Sequence, residues 1–500
     1  MHKAKRNIAT TLISQLVSTV CGMVIPGTLI SVFGSVMYGI VTSITQFLSY
    51  ISLLEGGIAR VARAELYGPL AKKDNYEISR VYYAIGRFFM FVGVAFMIYT
   101  LFLSVGYYDL ANVTETGRGY IFILVWIISA GTLAKYMGGL TNLTLINADQ
   151  RQYVGNLIVT TATIFNALLV VVLSKAGADL LVVKTVSCAV YVAQPIGYAI
   201  YVKKHYDLRP VGKNRSKLKQ KWTGMGQHVA YFLHTNTDIV ILTLFAGFQY
   251  VAVYAVYRLV ISSVRKIAQS FTSGMEAAFG EMIAKKEQRM LQNVFFKYKH
   301  LLSTTSVVLF GSTGILIVPF VLLYTAGVTD ANYFQPTFAV LLLLAEAVDC
   351  FMHPCCSLPI SANKLKETSW GSYGEAVINI SLSLVLVHWN PLIGVALATL
   401  LATVFKSGFY LTYACKNILK IRISELMKNC LITVCLIGLF AFVGASLMTK
   451  VYMESYFIWI LWGFGAAFIT LLVTIAVYAV FYPTVLKNAV ATVSKKLLHR

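Results

Sequence analysis

Residues 456–482 read YFIWILWGFGAAFITLLVTIAVYAVFY and contain neither a charged side chain nor a proline. A helix that crosses a lipid bilayer needs roughly 20 consecutive, mostly apolar residues, and this stretch exceeds that length. Comparable runs recur along the chain from residue 8 onwards, so the sequence predicts a polytopic helical membrane protein. We predict fourteen spans, at residues 8–33, 36–58, 84–107, 119–145, 152–174, 180–202, 227–247, 252–275, 300–326, 333–357, 369–388, 391–414, 429–449 and 456–482.

The composition of the whole chain supports this class. Apolar residues make up 58% of the 500 residues and charged residues only 12%, against about 25% charged residues in soluble domains. The mean hydropathy is +0.71. These values exclude a soluble enzyme, and the length of the apolar runs excludes a membrane β-barrel, whose strands alternate with period two over about ten residues. The expected fold class is all-α.

The distribution of the 42 Lys and Arg residues predicts the orientation of the spans. If the N-terminus is cytoplasmic, the outer connections contain only Arg118, Lys175 and Lys450, and the inner connections contain most of the others. That imbalance is the one described by the positive-inside rule, so both termini are predicted to be cytoplasmic. The formal net charge of +22 is then explained by orientation and by contact with anionic lipid headgroups. We therefore predict no nucleic-acid partner.

Two pairs of sequence landmarks indicate an internal repeat. Gly34 and Gly247 each follow an apolar span, and they are separated by as many residues as Asn166 and Asn379. Parallel repeats of this kind are related by an axis along the membrane normal and enclose a central cavity. The predicted organisation is an N-terminal lobe of six helices, a basic cytoplasmic linker, a second six-helix lobe, and two extra helices with a cytoplasmic tail, at residues 1–202, 203–226, 227–414 and 415–500.

The sequence lacks the usual signatures of catalysis and cofactor binding. It contains no phosphate-binding GxxxxGK[ST] loop, no HExxH zinc motif and no nucleophile elbow. The cluster Cys350-x-x-His353-Pro354-Cys355-Cys356 has no second ligand pair, so packing is favoured over metal binding. The outer connections are too short for a catalytic domain. We expect no enzyme activity, catalytic residue, metal or cofactor, which leaves transport as the functional class.

Five short motifs resemble one branch of a transporter superfamily. They are SANKLK at 361–366, EAVINI at 375–380, NPLIGVALAT at 390–399, YAVYR at 254–258 and NTDIVIL at 236–242. Together with the span pattern, they resemble the polysaccharide transporters of the multidrug/oligosaccharidyl-lipid/polysaccharide exporter superfamily, the Wzx-type flippases of lipid-linked oligosaccharides. Lipid II flippases and drug/cation antiporters share this architecture, and the antiporters typically stop at twelve spans.

The resemblance implies a function and a location. The chain would move a polyprenyl-pyrophosphate-linked oligosaccharide from the inner to the outer leaflet of a bacterial plasma (inner) membrane, by alternating access, for export of a cell-surface polysaccharide. The implied partners are that substrate, membrane lipid, H⁺ or Na⁺, and the polysaccharide polymerase machinery. Two alternatives stay open: a cation-coupled exporter of drugs or metabolites on the same fold, and a membrane enzyme of polysaccharide assembly.

Cationic side chains inside the predicted spans are the candidates for substrate binding. An ionisable side chain at mid-membrane costs roughly 2.5 kcal/mol or more, so it normally faces a partner or a watery cavity. Arg and Lys there would donate charge-assisted hydrogen bonds to a pyrophosphate. The predicted substrate-binding residues are Lys135, Arg258, Arg265, Lys266 and Lys406. The alternative is that each cation pairs with an acid of the protein, for example Arg258 with Asp238.

Acidic side chains in the same spans are the candidates for ion coupling. A carboxylate in a low-dielectric environment can exchange protons or bind Na⁺ during a transport cycle. The predicted ion-coupling residues are Asp238, Glu346 and Asp349. Glu346 and Asp349 are three residues apart and so lie on one face of a helix.

Overall fold

The computed structural model describes residues 2–55, 58–209, 225–270, 272, 275–447, 453 and 455–487, and within these ranges it contains helices and no β-strand. Most of the predicted basic linker (residues 210–224), the C-terminal tail from residue 488 and Lys450 lie outside the described residues. The protein is an all-α polytopic membrane protein, as the hydropathy pattern predicts.

The helix Tyr456–Phe481 illustrates how the helices of this fold pack. Its buried residues are Ala466, Thr470, Thr474 and Tyr478, which recur every four positions and so form one stripe. Apolar side chains such as Phe464, which is 73% exposed, cover the other faces. Small and polar residues therefore face the neighbouring helices while large apolar residues face outwards, the arrangement that a lipid environment favours.

The chain divides into two compact units. Unit 1 comprises Met1–Phe232 and Leu242–Ala252, and unit 2 comprises Leu233–Ile241 and Val253–Arg500. The helices of unit 1 are α1 (His2–Ser49), α2 (Ser52–Glu55), α3 (Ile58–Lys72), α4 (Asn75–Leu110), α5 (Arg118–Ala134), α6 (Leu140–Ala148), α7 (Gln152–Lys175) and α8 (Leu180–His205). The residues of α9 (Met225–Phe245) and α10 (Phe248–Ser270) are divided between the units. Unit 2 adds α11 (Met275–Ala284), α12 (Gln288–Tyr324), α13 (Pro336–Ser361), α14 (Leu365–Leu386), α15 (Pro391–Tyr413), α16 (Ile423–Leu447) and α17 (Tyr456–Phe481).

Helix α1 of unit 1 contains two predicted spans, separated by a break at Gly34 (φ 82°, ψ 167°). Beyond this break, Gly39 packs against the backbone of Phe248, because a Cβ atom built on Gly39 would lie 2.1 Å from the Phe248 carbonyl oxygen. A π-helical segment, Lys135–Gly139, joins α5 to α6. A second π-helical segment, Ala414–Leu419, follows α15 in unit 2. Such segments are frequent at functional sites.

The two halves of the chain repeat the same series of turns. Residues with positive φ occur at Gly34, Lys73 and Gln150, and later at Gly247, Lys286 and Asn363. Taken in order, these residues form three pairs, and the two members of each pair are separated by the same number of positions. The first residues of α4 and α12, and of α7 and α14, are offset by that same number. The first half of the chain and the second are therefore built from one repeated pattern of turns and helices.

Ten described helical stretches are long and apolar enough to cross a membrane by length and composition alone. One of them, Arg6–Glu55, contains both of the first two predicted spans. Helices α9, α10 and α14 overlap predicted spans but are not among the ten, because polar side chains lower their hydropathy. Every predicted span overlaps a helix, and the total of fourteen crossings stays a prediction.

Candidate functional site

One face of α10 carries the two arginines of the candidate site. Arg258 and Arg265 are seven residues, about two helical turns, apart and so point in similar directions. The Arg258 guanidinium donates to the Tyr254 hydroxyl (2.8 Å) and to the carbonyl oxygen of Thr235 (2.5 Å). The helix spacing of four residues places Tyr254 next to Arg258. Both arginines are only partly exposed.

Asp238 of α9 is linked to Arg258 through Tyr254. The Tyr254 hydroxyl donates to Asp238 Oδ2 (2.6 Å), and Thr399 Oγ1 of α15 lies 3.2 Å from the same oxygen. The amide of Asn379 on α14 donates to Thr399 Oγ1 (2.9 Å). Asp238 is 1% exposed and Asn379 is fully buried. Four helices of unit 2 thus meet at one buried polar chain.

Arg265 and Lys406 form a network of ion pairs with α13 and α14. The two terminal nitrogens of Arg265 lie 2.5 Å from Glu346 Oε2 and 2.7 Å from Asp349 Oδ2. Lys406 Nζ lies 3.1 Å from Asp349 Oδ1 and 3.1 Å from Glu375 Oε2. The three-residue spacing of Glu346 and Asp349 lets Arg265 bridge them, as a guanidinium with its fork of donors can.

The side chains at one end of the ion-pair network are partly exposed, and those at the other end are buried. Between 13% and 19% of each of the side chains of Arg265, Glu346, Asp349 and Lys406 is exposed, whereas Glu375 is 1% exposed. His234 lies at the closed end, with its Nε2 atom 3.4 Å from Glu375 Oε1. A buried carboxylate needs such partners because an isolated buried charge is costly.

The geometry separates the predicted site residues into three groups. Arg258, Arg265 and Lys406 gather in unit 2 with all three predicted ion-coupling acids. Lys266 is exposed on α10 and forms no ion pair with the described residues. Lys135 lies in unit 1, at the start of the π-helical segment, with its ammonium 5.8 Å from the centre of the Tyr191 ring.

The cations of unit 2 are balanced by acids of the same unit. The group contains Arg258, Arg265 and Lys406 against Asp238, Glu346, Asp349 and Glu375, so its formal charge with a neutral histidine is negative rather than positive. Arg265 and Lys406 are thus paired with acids of the protein, as the alternative interpretation predicts. Arg258 is linked to Asp238 only through the Tyr254 hydroxyl. An anionic substrate at this group has to replace existing carboxylate contacts.

Two oxygens beside Asp238 are available to a small cation. Asp238 Oδ1 and Asn379 Oδ1 are both buried and have no hydrogen-bond partner, which is rare in native proteins. Carboxylate, amide and hydroxyl oxygens are the ligands that hard cations prefer. The described residues form no group of three or more His, Cys, Asp or Glu that could hold a metal ion. Asp238 Oδ1 and Asn379 Oδ1 are therefore oxygens of this polar chain that its hydrogen bonds within the described residues leave unused.

Sequence reasoning did not select Tyr254, His234, Glu375, Asn379 or Thr399 as site residues. Four of them stand in the motifs that carry the family resemblance, and His234 lies in the same predicted span as the motif NTDIVIL. Their roles depend on contacts between helices that are far apart in sequence, such as the contact of Asp238 with Thr399. Span pattern and charge alone do not reveal such contacts.

Comparison with known proteins identifies the fold. No protein-family model matches the chain, and no curated protein sequence matches it either. Among solved structures, the chain is similar to the lipid II flippase MurJ in an inward closed conformation, with a TM-score of 0.69 and 12% identity over 95% of this chain and 99% of the flippase.

Two multidrug transporters of the MATE family share the fold more loosely. The first is DinF-BH in complex with R6G, with a TM-score of 0.57 and 15% identity over 84% of this chain and 96% of that protein. The second is an inward-facing MATE transporter of the MOP superfamily, with a TM-score of 0.58 and 13% identity over 82% and 96%. This chain therefore has the fold that a lipid II flippase and multidrug transporters have in common.

Proposed function

We propose that this protein is a flippase that moves a polyprenyl-pyrophosphate-linked oligosaccharide from the inner to the outer leaflet of a bacterial plasma membrane by alternating access. The observation that carries the proposal is the group of partly exposed ionisable side chains on α10, α13 and α15, within helices that are otherwise predominantly apolar. Charged side chains in such helices mark substrate and ion pathways.

The substrate class is supported by how much of the chain each similar structure covers. The lipid II flippase covers 95% of this chain, whereas the two multidrug transporters cover 82–84%. A flippase of lipid-linked sugar thus shares the architecture over nearly the full length. The substrate proposed here is likewise carried on a membrane lipid.

Arg258 and Arg265 are proposed to receive the pyrophosphate when it replaces their protein partners. Arg265 is held by two carboxylates 2.5 and 2.7 Å away, so the site without substrate keeps its cation paired. Arg guanidinium groups bind phosphate bidentately. Asp238 is proposed as the ion-coupling residue, because its Oδ1 atom is buried and unpartnered, whereas Glu346 and Asp349 are engaged by Arg265.

The proposal is tested in proteoliposomes that contain the full chain and a fluorescent lipid-linked oligosaccharide, with outer-leaflet substrate detected by a membrane-impermeant quencher. Arg258→Ala and Arg265→Ala should each slow translocation at least tenfold, because a charge-assisted hydrogen bond contributes about 1.5–3 kcal/mol. The double variant should be inactive. Lys285→Ala, which removes an exposed ion pair with Glu281 on α11, is the matched control and should behave as the wild type.

Translocation of an organic cation but not of the lipid-linked sugar by the wild-type protein would refute the substrate class and favour a drug exporter. Unchanged sugar translocation in the double variant would refute the roles of the two arginines.

A further inference from the structure

Helix α12 of unit 2 carries a buried lysine that takes no part in the ion-pair network. Lys299 is 0% exposed, and among the described residues no carboxylate oxygen lies within 4 Å of its ammonium. A buried charge without a counter-ion is costly, so its presence calls for a reason in the surrounding structure. The sequence places Lys299 one residue before the ninth predicted span, and the search for charges inside spans therefore did not select it.

The Lys299 ammonium contacts two consecutive residues of α13. Its Nζ atom donates to the carbonyl oxygen of Phe351 (2.8 Å) and lies 3.6 Å from Met352 Sδ. The same Nζ atom lies 4.6 Å from the centre of the Phe351 ring, within the roughly 6 Å at which a cation is attracted to an aromatic face. Lys299 therefore ties α12 to the backbone of α13 at one place.

A proline explains why the backbone of α13 accepts this contact. Pro354 lies inside α13, three residues beyond Phe351. It has no amide N–H, and its ring disturbs the hydrogen bonds of the helical turn before it. In membrane helices, groups of neighbouring helices satisfy the backbone oxygens that a proline leaves without a partner. The Lys299 ammonium is such a group, and it reaches this turn from α12.

The first half of the chain interrupts a helix at the equivalent positions. With the offset of the repeated turns, Gly138 and Gly139 correspond to Phe351 and Met352. The two glycines end the π-helical segment Lys135–Gly139, and Gly138 has a φ of 145°. An irregularity at this point is thus a repeated feature of the fold. Glycines accommodate it in unit 1, and a proline with a lysine from the next helix accommodates it in unit 2.

We propose that Lys299 is a positioning residue that holds α13 so that Glu346 and Asp349 face Arg265. Both acids precede Phe351 on α13 by less than two turns, within about 8 Å along the helix axis. The inference rests on the proposed function, in which the pyrophosphate replaces these two carboxylates at Arg265. Acids that are well placed compete with the substrate for the guanidinium and help to release it. Lys299 then sets how strongly they compete.

The positioning role is tested by transport kinetics of the full chain in proteoliposomes. Lys299→Met should lower both the apparent KM for the lipid-linked oligosaccharide and the maximal rate about threefold, because displaced acids compete less with the substrate and release it more slowly. Leu302→Ala is the matched control, since Leu302 is a buried apolar residue of the same helix and its truncation only destabilises the packing. The control should leave KM unchanged. An unchanged KM in Lys299→Met would overturn the proposal.

A second variant removes the need for the lysine. When Pro354→Ala is added to Lys299→Met, the restored amide N–H lets α13 form its own hydrogen bonds, so KM and the maximal rate should return to within about twofold of the wild type. A double variant that behaves as Lys299→Met does would show that the lysine does not act through the turn before Pro354, and the proposal would be wrong.

A third variant distinguishes positioning from a merely structural role. If Lys299 acts through the acids, adding Lys299→Met to Glu346→Gln should change KM less than Lys299→Met changes it in the wild type, because residues that act together are not additive. Equal effects in the two backgrounds would assign Lys299 to stability alone.

Binding separates this inference from the proposed function. The probe is undecaprenyl pyrophosphate, added to the full chain in lipid nanodiscs. If Lys299→Met binds this probe more tightly than the wild type does, but the wild type translocates no sugar, the positioning role stands and the function is wrong. If the wild type translocates sugar, and Lys299→Met binds the probe and translocates as the wild type does, the function stands and the positioning role is wrong.

Discussion

At the scale of single residues, the ion pairs of unit 2 show which charges depend on each other. Glu375 is 1% exposed and has two partners among the charged side chains, Lys406 at 3.1 Å and His234 at 3.4 Å. Asp349, in contrast, retains Arg265 when Lys406 is removed. Loss of Lys406 therefore affects Glu375 most.

We expect Lys406→Met to destabilise the protein by about 3–5 kcal/mol, because it leaves a buried carboxylate without its cation. Adding Glu375→Gln to this variant should restore more than half of the loss, since the uncompensated charge is then gone. The measurement is the thermal unfolding midpoint of the purified chain in detergent. Lys285→Met, just beyond the end of α11, removes an exposed pair and should change stability by less than about 1 kcal/mol. A double variant no more stable than Lys406→Met would contradict this account.

The individual charged residues could be predicted from the sequence, but apart from the alternative that Arg258 pairs with Asp238, their partners could not. A charged residue inside an apolar span can be recognised from the sequence alone, and this criterion selects Arg258, Arg265 and Lys406. Which acid each of them contacts depends on how α10, α13, α14 and α15 pack. The link from Arg258 to Asp238 through Tyr254 follows from two helices meeting, which neither segment specifies by itself.

At the scale of helices, close backbone approach holds α16 against α12. A Cβ atom on Gly444 would lie 2.2 Å from the carbonyl oxygen of Gly314 and 2.5 Å from the Cα atom of Ile315. Helices in lipid associate through such small-residue contacts, because the hydrophobic effect does not drive them together. By contrast, a Cβ atom on Gly438 of the same helix would have no other atom within 4 Å.

Gly444→Ala should therefore lower stability by about 1–3 kcal/mol, because α12 and α16 have to separate to admit the methyl group. Gly438→Ala is the matched control. It should leave stability unchanged or raise it by up to about 1 kcal/mol, since alanine favours the helix. Thermal unfolding of both variants under the same conditions decides between these outcomes, and equal midpoints would show that the Gly444 contact is not tight.

Helix positions were easier to predict than helix breaks. Every predicted span overlaps a helix, because span length and hydropathy are properties of the local sequence. The predicted spans 8–33 and 36–58 already separate at Gly34, where the helix breaks, but the π-helical segments and the interruption between α1 and α2 were not predicted. These features arise where packing between helices prevails over regular geometry, and the apolar pattern continues through them.

At the scale of the whole molecule, the charge of the proposed substrate sets the energy source that we expect for transport. A pyrophosphate-linked lipid carries two negative charges outwards, towards the positive side of the membrane. The potential favours that movement by about 4–5 kcal/mol at 100 mV.

An inside-negative potential imposed on proteoliposomes should therefore speed outward translocation, and collapsing it should remove the effect. Asp238→Asn should abolish any dependence on Na⁺ or pH while leaving the effect of voltage, because it removes the carboxylate but keeps the shape of the side chain. Initial rates measured at several potentials and ion concentrations test both parts. A rate that does not respond to voltage would contradict a net movement of negative charge.

The balanced charges of unit 2 also bear on how this fold could have acquired different cargoes. Three cations and four acids share one group, so a single codon change at Asp349 or Arg265 reverses or deepens its electrostatic preference without rebuilding any helix. Divergence between exporters of anionic lipids and exporters of organic cations would then require few mutational steps, with the scaffold inherited unchanged.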